Sequence, residues 1–279
     1  VVLGNDDVTA VYMGEDSGAT VYAAGLNIGG TEITSTATEL NLLTGATSIG
    51  TGILSPVTEN SNTGVRLSTA LAANHGDIGS NAVDLSYSSS ASTTRGATGD
   101  YSTAMGELTI ASGSRSTATG YSTIASGYAS TAMGYSTEAS GVISTAMGQS
   151  TEASGTSSTA MGESTIASGV ISTAMGGGTT ASGNSSTAMG RDTEASASYS
   201  TAMGRNTTAS DYGSLVIGQF NSSGSSATSA TSFSTANTAF VIGNGADSGL
   251  SDAFSILFDG TTNIAGSVTA DSFIKDGGV

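Results

Sequence analysis

The chain has 279 residues and a formal net charge of −16, with 22 acidic against six basic side chains. It contains no Cys and one His, which excludes disulfides, thiolate metal sites and multi-histidine metal sites within one chain. With 5% aromatic residues, it cannot build a large core of bulky side chains. The negative charge argues against nucleic acid or an anionic membrane as partner, and no apolar run is long enough for membrane insertion.

Residues 1–45 are predicted to form an N-terminal β shaft segment. Short runs of β-forming residues are separated by Gly, Asp and Asn, which are typical of turns. These runs are 2–5, 11–14, 21–23 and 26–29. The run 36–45 predicts a short helical turn that ends at Gly45. Because the chain begins with Val, we expect it to be a piece of a longer or processed protein.

Residues 46–96 are predicted to be a connector that leads into a set of repeats. The run 65–73 is compatible with a short helix or with an irregular rung of a sheet, and both interpretations stay open. The run 82–87 alternates apolar and polar residues, which predicts the first strand of the following coil.

Residues 97–219 consist of a 14-residue repeat. The half-motif Ser-Thr-Ala-Met-Gly ends at glycines that are 14 residues apart, beginning with Gly106 and Gly120, and a second half-motif, Thr-x-Ala-Ser-Gly, follows seven residues behind. Abundant Gly, Ser and Thr oppose a helix, whereas each half fits a short strand with Gly at the corner. The repeat therefore predicts an all-β solenoid in which each period forms one turn.

Alternation along these strands assigns the faces of the coil. A turn of 14 residues leaves a narrow lumen, which predicts alanines inside, such as Ala104 and Ala132 from the first half and Ala111 and Ala125 from the second. The methionines then point outward, where an uncovered ladder favours aggregation. We predict that three chains share this ladder as a trimer core; Met filling the lumen of a monomer is the alternative. The predicted core residues are Met105, Met133, Met147, Met161, Met175, Met189 and Met203, with Thr119 replacing Met once.

The combined repeat, Ser-Thr-Ala-Met-Gly-x-x-Thr-x-Ala-Ser-Gly, resembles the head repeat of trimeric autotransporter adhesins of the YadA type. The resemblance covers about residues 97–219 and implies a trimeric left-handed parallel β-roll. It specifies the fold more closely than the function, because similar modules occur in phage tail fibres and other secreted surface fibres.

The flanking segments favour one of these contexts. Residues 36–45 resemble a segment that recurs in phage tail-fibre and virion proteins, with Thr44 where Asp is usual. Residues 220–279 are predicted to close the roll with larger β-formers and aromatic residues, and to exit toward a missing C-terminal part. The exit at 266–278 resembles that of fibres continuing into an intramolecular chaperone of the endosialidase type. Since no heptads follow, we favour a phage-type or secreted surface fibre over a classical autotransporter.

The sequence signals for catalysis are weak, and we predict no enzyme, cofactor or metal site. Motifs for nucleotide binding, for a serine nucleophile elbow and for zinc proteases are missing from the sequence. His75 fits a loop or turn histidine. Glu138 and Glu152 stack one period apart on a variable, solvated face rather than across the cleft that a glycosidase pair needs.

Recognition is predicted at the variable turn positions. Tyr121, Tyr128 and Tyr135 form a candidate contact surface, because Tyr is a rigid amphipathic side chain; decorated turns without a partner are the alternative. The favoured function is a structural and adhesive homotrimeric fibre that attaches to a cell-surface receptor or glycan, located extracellularly, on a cell surface or on a virion. The alternatives are a bacterial autotransporter adhesin head, a passive spacer or filament subunit, and an ice-binding solenoid with stacked Thr columns.

Overall fold

The computed structural model describes four stretches of the chain, 26–28, 31–33, 53–224 and 226–269. The chain divides into two compact units, 1–51 and 52–279. In the first unit, strands β1 (Leu26–Ile28) and β2 (Thr31–Ile33) pair antiparallel, which confirms the last of the strands predicted for the shaft segment. The other strands predicted there, and the predicted helical turn at 36–45, lie outside the described residues.

The second unit is a parallel β-solenoid of about 11 turns with a spacing of about 14 residues. Most turns contribute one long and one short strand, and the two kinds of strand form two separate sheets. The long sheet contains β3 (Leu54–Glu59), β4 (Asn62–Leu67), β5 (Val83–Tyr87), β7 (Thr103–Glu107), β9 (Thr117–Tyr121), β11 (Thr131–Tyr135), β13 (Thr145–Gln149), β15 (Thr159–Glu163), β17 (Thr173–Gly177), β19 (Thr187–Arg191), β21 (Thr201–Arg205), β23 (Leu215–Gln219), β24 (Thr238–Asn244), β25 (Asp252–Leu257) and β26 (Thr262–Ile264). The short sheet contains β6 (Gly96–Ala97), β8 (Ile110–Ala111), β10 (Ile124–Ala125), β12 (Glu138–Ala139), β14 (Glu152–Ala153), β16 (Ile166–Ala167), β18 (Thr180–Ala181), β20 (Glu194–Ala195) and β22 (Thr208–Ala209).

Successive turns of the repeat stack in parallel and in register. In the long sheet Met133 pairs with Met147, and in the short sheet Ala125 pairs with Ala139. Each pairing joins equivalent residues of neighbouring repeats, so the predicted solenoid with one period per turn is confirmed. The left hand of the coil and its trimeric packing stay predictions.

Small side chains fill the lumen of the solenoid. Ala104 and Ala111 have no exposed surface, and neither do their equivalents along the repeat. The prediction of alanine columns inside the coil is confirmed, and the lumen does not contain the methionines. Columns of Ser and Thr, which begin at Ser102 and Thr109, are buried beside the alanines. Most of these hydroxyls, Thr151 Oγ1 among them, have no hydrogen-bond partner in the described part of the chain, so their desolvation is uncompensated there.

A glycine column allows the backbones of adjacent turns to approach closely near the end of each long strand. Gly176 has φ +125°, and a Cβ atom built on it would overlap the carbonyl oxygen of Gly190 in the next turn. Only glycine combines this dihedral angle with this contact. The spacing of the repeat glycines is therefore set by the stacking of the turns.

Antiparallel strands close both ends of the long sheet. At the N-terminal end β3 and β4 form a hairpin, and at the C-terminal end β25 and β26 fold back beside β24. Aromatic contacts support the C-terminal closure, where the ring centroids of Phe240 and Phe254 are 5.9 Å apart. Such ends protect the stack of parallel strands from edge-to-edge pairing.

The long sheet begins inside the connector predicted for 46–96. Strand β5 confirms the first strand predicted at 82–87, and it pairs in parallel with β7. The run 65–73 contains the end of β4 and the start of a single 3₁₀ turn, Ala72–Asn74. The connector therefore contributes rungs to the same sheet as the repeats, starting at Leu54.

Candidate interaction surfaces

A column of methionines runs along the outer face of the long sheet. Met133 pairs with Met147, and the column continues turn by turn to Met203. Met105 and Met133 expose 43% and 38% of their surface, and the other members are half-buried. Because alanines fill the lumen, these seven side chains form an apolar stripe on the outside of the coil, which we call the methionine stripe.

Two of the three predicted contact tyrosines are brought together by the register of the long sheet. Tyr121 and Tyr135 end β9 and β11 and pair directly. Their rings stack with centroids 5.1 Å apart and an interplanar angle of 9°. Both side chains are exposed. Stacking covers one face of each ring, and the two tyrosines together form one exposed aromatic surface.

Tyr128 belongs to a different cluster, formed with Tyr101 and Arg115. The guanidinium carbon of Arg115 lies 5.3 Å from the ring centroid of Tyr101 and 5.5 Å from that of Tyr128. Arg115 Nη1 also donates a hydrogen bond of 3.1 Å to Tyr128 Oη. We call these residues the tyrosine–arginine cluster. Sequence reasoning missed Tyr101 and Arg115, although their spacing of one period places them in one column.

Two apolar dipeptides are exposed further along the coil, on turns equivalent to the one that contains Tyr128. Val142 and Ile143 expose 43% and 57% of their surface, and Val170 and Ile171 expose 46% and 60%. Both isoleucines have φ +57°, a left-handed conformation that is costly for a β-branched residue. Exposed apolar side chains on a strained backbone do not stabilise a single chain, so this turn is a further surface where contacts could form.

A buried polar network closes the N-terminal end of the coil. Asp84 takes a position in the alanine column, and its carboxylate lies 3.2 Å from Arg66 Nε and 3.1 Å from His75 Nδ1. Arg66 also pairs with Glu59 at 2.9 Å. Burial raises the pKa of Asp84, but hydrogen bonds from His75 and Ser86, together with the attraction of His75, outweigh it and hold that pKa below its ordinary value of 3.8.

This network places His75 in a structural setting. His75 lies at a bend directly after the 3₁₀ turn, as the prediction of a loop or turn histidine required. Its ring is almost fully buried and contacts the Asp84 carboxylate, which the sequence did not indicate. Within the described stretches, no group of three His, Cys, Asp or Glu residues could hold a metal ion. Glu138 and Glu152 pair in register on exposed strand positions, as predicted.

Two polar side chains organise the C-terminal end of the repeats, and sequence reasoning gave them no role. Asp211 stands where the second half-motif has Gly, and its buried carboxylate accepts backbone N–H groups of Thr228 and Thr238 at 2.6 and 2.8 Å. The Asn221 side-chain amide exchanges hydrogen bonds with the backbone of Thr208. Asn221 therefore takes the place of another short strand beside β22. The change from Gly to Asp at 211 was the available sequence signal.

Comparison with known protein families identifies the repeats. The YadA head domain repeat (two copies) matches residues 97–123, 125–151, 139–165, 153–170, 167–193 and 195–221. These segments cover most of the solenoid and confirm the resemblance predicted from the sequence. YadA-type heads are homotrimeric adhesins in general. Comparison with curated proteins finds no match. In the part of the chain that the structure describes, no helix is long and apolar enough to cross a membrane.

Proposed function

We propose that this chain, whose residues 97–221 are built from YadA-like head repeats, is a segment of a homotrimeric adhesive fibre that attaches to a cell surface. The observation that carries the proposal is the methionine stripe on the outer face of a YadA-type repeat. The fibre works outside the cell, on a cell surface or a virion, and we favour a phage tail fibre or a secreted surface fibre as its context.

The methionine stripe supports the trimer. A single chain leaves the stripe half-covered, and an apolar ladder of this length is a liability unless a partner covers it. Three coils around one axis cover three identical stripes at once. Full burial of an exposed Met contributes roughly 1.5–3 kcal/mol, so completing the burial of a half-covered one contributes about 1 kcal/mol.

Repetition supports the adhesive role. A trimer presents each turn surface three times, and stacking presents similar surfaces at every turn of the coil. Weak contacts then add through effective concentration, so a fibre can hold a cell surface without any single strong site. A rod stabilised by stacked backbone hydrogen bonds keeps these surfaces in fixed positions.

The buried hydroxyl columns weigh against the ice-binding alternative. The Thr column that begins at Thr109 lines the lumen and has essentially no exposed surface, so it cannot contact ice. The other Thr column, which begins at Thr103, shares the outer face with the methionine stripe and is half-buried. A trimer that shares this face covers it further.

The proposal is tested by attachment of the purified protein to cells. The wild type and the variant Met147→Asp with Met161→Asp are coupled to fluorescent beads, and adhesion to bacterial and animal cells is counted. We expect wild-type beads to adhere and the variant, which cannot bury its stripe, to lose most of that adhesion. A wild type that adheres to none of the cells, as a well-folded trimer, would contradict the adhesive function and favour the passive spacer.

A further inference from the structure

The tyrosine–arginine cluster contains a cation that contacts two aromatic side chains and is exposed to solvent. The guanidinium of Arg115 lies close to the rings of both Tyr101 and Tyr128, and these two tyrosines expose 56% and 46% of their surface. Arg115 Nη1 donates to Tyr128 Oη, whereas Nε and Nη2 make no hydrogen bond in the described part of the chain. These two groups form the edge of a guanidinium that donates a pair of parallel hydrogen bonds to a carboxylate.

Arg115 also differs from the other arginines in its electrostatic partners. Arg66 is buried against carboxylates, and Arg191 and Arg205 pair with the side chains of Asp192 and Asp247. The remaining described arginine, Arg95, donates to serine oxygens. In the described stretches neither Arg95 nor Arg115 has a carboxylate partner, but Arg115 is exposed and also lies beside two aromatic rings. In a chain with a net charge of −16, an exposed cation without a carboxylate partner is a feature that attracts an anion.

We propose that the tyrosine–arginine cluster binds a carboxylate-bearing terminal sugar, of the sialate or uronate class. The carboxylate takes the free Nε and Nη2 edge of Arg115, and the exposed parts of Tyr101 and Tyr128 contact the sugar ring and its hydroxyl groups. This inference rests on the proposed adhesive function and specifies its ligand class. A trimer carries the site three times, so a weak site is sufficient for attachment.

The charge of the chain selects against other anions. A long polyanion would be repelled by a chain with a net charge of −16, and one guanidinium offers it a single attractive contact. A single carboxylate at the end of a glycan meets the cation without that penalty. The two aromatic rings beside the cation favour a sugar over an inorganic anion, because Tyr supplies both an apolar ring surface and a hydroxyl group.

The test compares acidic and neutral glycans on the intact protein. Glycopolymers that carry 3′-sialyllactose, terminal glucuronate, the methyl ester of each, or lactose are immobilised, and binding is measured by interferometry. We expect binding to one of the two acidic probes and none to its ester or to lactose. Arg115→Gln should weaken binding by about 10- to 100-fold, since it removes a charge-assisted hydrogen-bond pair. Arg191→Gln, which changes an exposed arginine already paired with Asp192, is the matched control and should bind like wild type.

The outcomes separate this inference from the proposed function. Equal binding by wild type and Arg115→Gln, or binding to neither acidic probe, overturns the acidic-sugar site. If wild type and Arg115→Gln adhere equally to cells, the site fails while the adhesive function stands. If the wild type adheres to no cell at all, the adhesive function itself fails.

Discussion

Two adjacent glycines in β17 should respond oppositely to substitution by Ala. Gly176 has φ +125°, and a Cβ atom there overlaps the carbonyl oxygen of Gly190 and lies 2.9 Å from its carbonyl carbon. Gly177 has no atom within 4 Å of the same position and no positive φ. Gly176→Ala therefore strains the backbone and separates two turns, while Gly177→Ala fills open space.

The magnitudes follow from these contacts. A non-glycine residue in this region of φ costs about 1–3 kcal/mol, and forcing an extra carbon between packed groups costs about 1–3 kcal/mol. Gly176→Ala should therefore destabilise each chain by about 2–6 kcal/mol, which lowers Tm by about 5–20 °C for a unit of this size. Gly177→Ala should stabilise it by up to about 1 kcal/mol, because Ala restricts the unfolded chain.

Thermal unfolding followed by far-UV circular dichroism measures both effects. The two variants and the wild type are compared at one protein concentration, since the Tm of an oligomer depends on concentration. The difference between neighbouring positions removes general effects of adding a methyl group to this strand. A Gly176→Ala protein with the Tm of the wild type, or two variants that lose equal stability, would refute the close stacking of adjacent turns at the glycine column.

Three further variants test other parts of the structure. Thr151→Val replaces a buried hydroxyl that has no hydrogen-bond partner among the described residues, so it should raise Tm by about 2–10 °C. The control Thr156→Val, at an exposed position, should change Tm little. A lower Tm for Thr151→Val would show that the Thr151 hydroxyl does make a hydrogen bond in the folded protein. Because the pKa of Asp84 is lowered in the folded chain, its contribution to stability is present above pH 3.8 and is lost as pH falls below that value. The free energy of unfolding, measured by chemical denaturation at pH 5 and pH 3, should therefore fall less in Asp84→Asn than in wild type. An equal fall in both proteins would assign the acid sensitivity to other groups. Met147→Asp with Met161→Asp should convert trimers to single chains in sedimentation velocity, because six charged groups would enter the shared core, and a trimer of unchanged stability would remove the methionines from that core.

The repeat made most of the fold predictable. A fixed period of 14 residues allows equivalent residues to stack, so the register of the sheets follows from the sequence alone. The small volume of one turn decides that Ala lies inside and Met outside, and the burial of Ala104 and the exposure of Met105 agree with that reasoning. Both conclusions depend on geometry that is shared by every turn.

The parts that were harder to predict are those where the repeat is broken. Asp84 occupies an alanine position because Arg66 and His75, which lie in the irregular connector, pair with its carboxylate there. Tyr128 lies half a period from Tyr121 and Tyr135, so the repeat itself places it at a different turn of the coil, but its contacts with Arg115 did not follow from the repeat. Such contacts depend on how long side chains lie across neighbouring turns, and a column alignment gives the position of a residue but not the direction of its side chain.

The most direct test of the trimer is the mass of the protein in solution. Multi-angle light scattering at several dilutions gives this mass independently of shape. We expect a mass of about three times 27.0 kDa that persists on dilution, because the methionine stripe of each chain is covered by its partners. A monodisperse species of one chain would contradict the shared methionine core and, with it, the trimeric fibre.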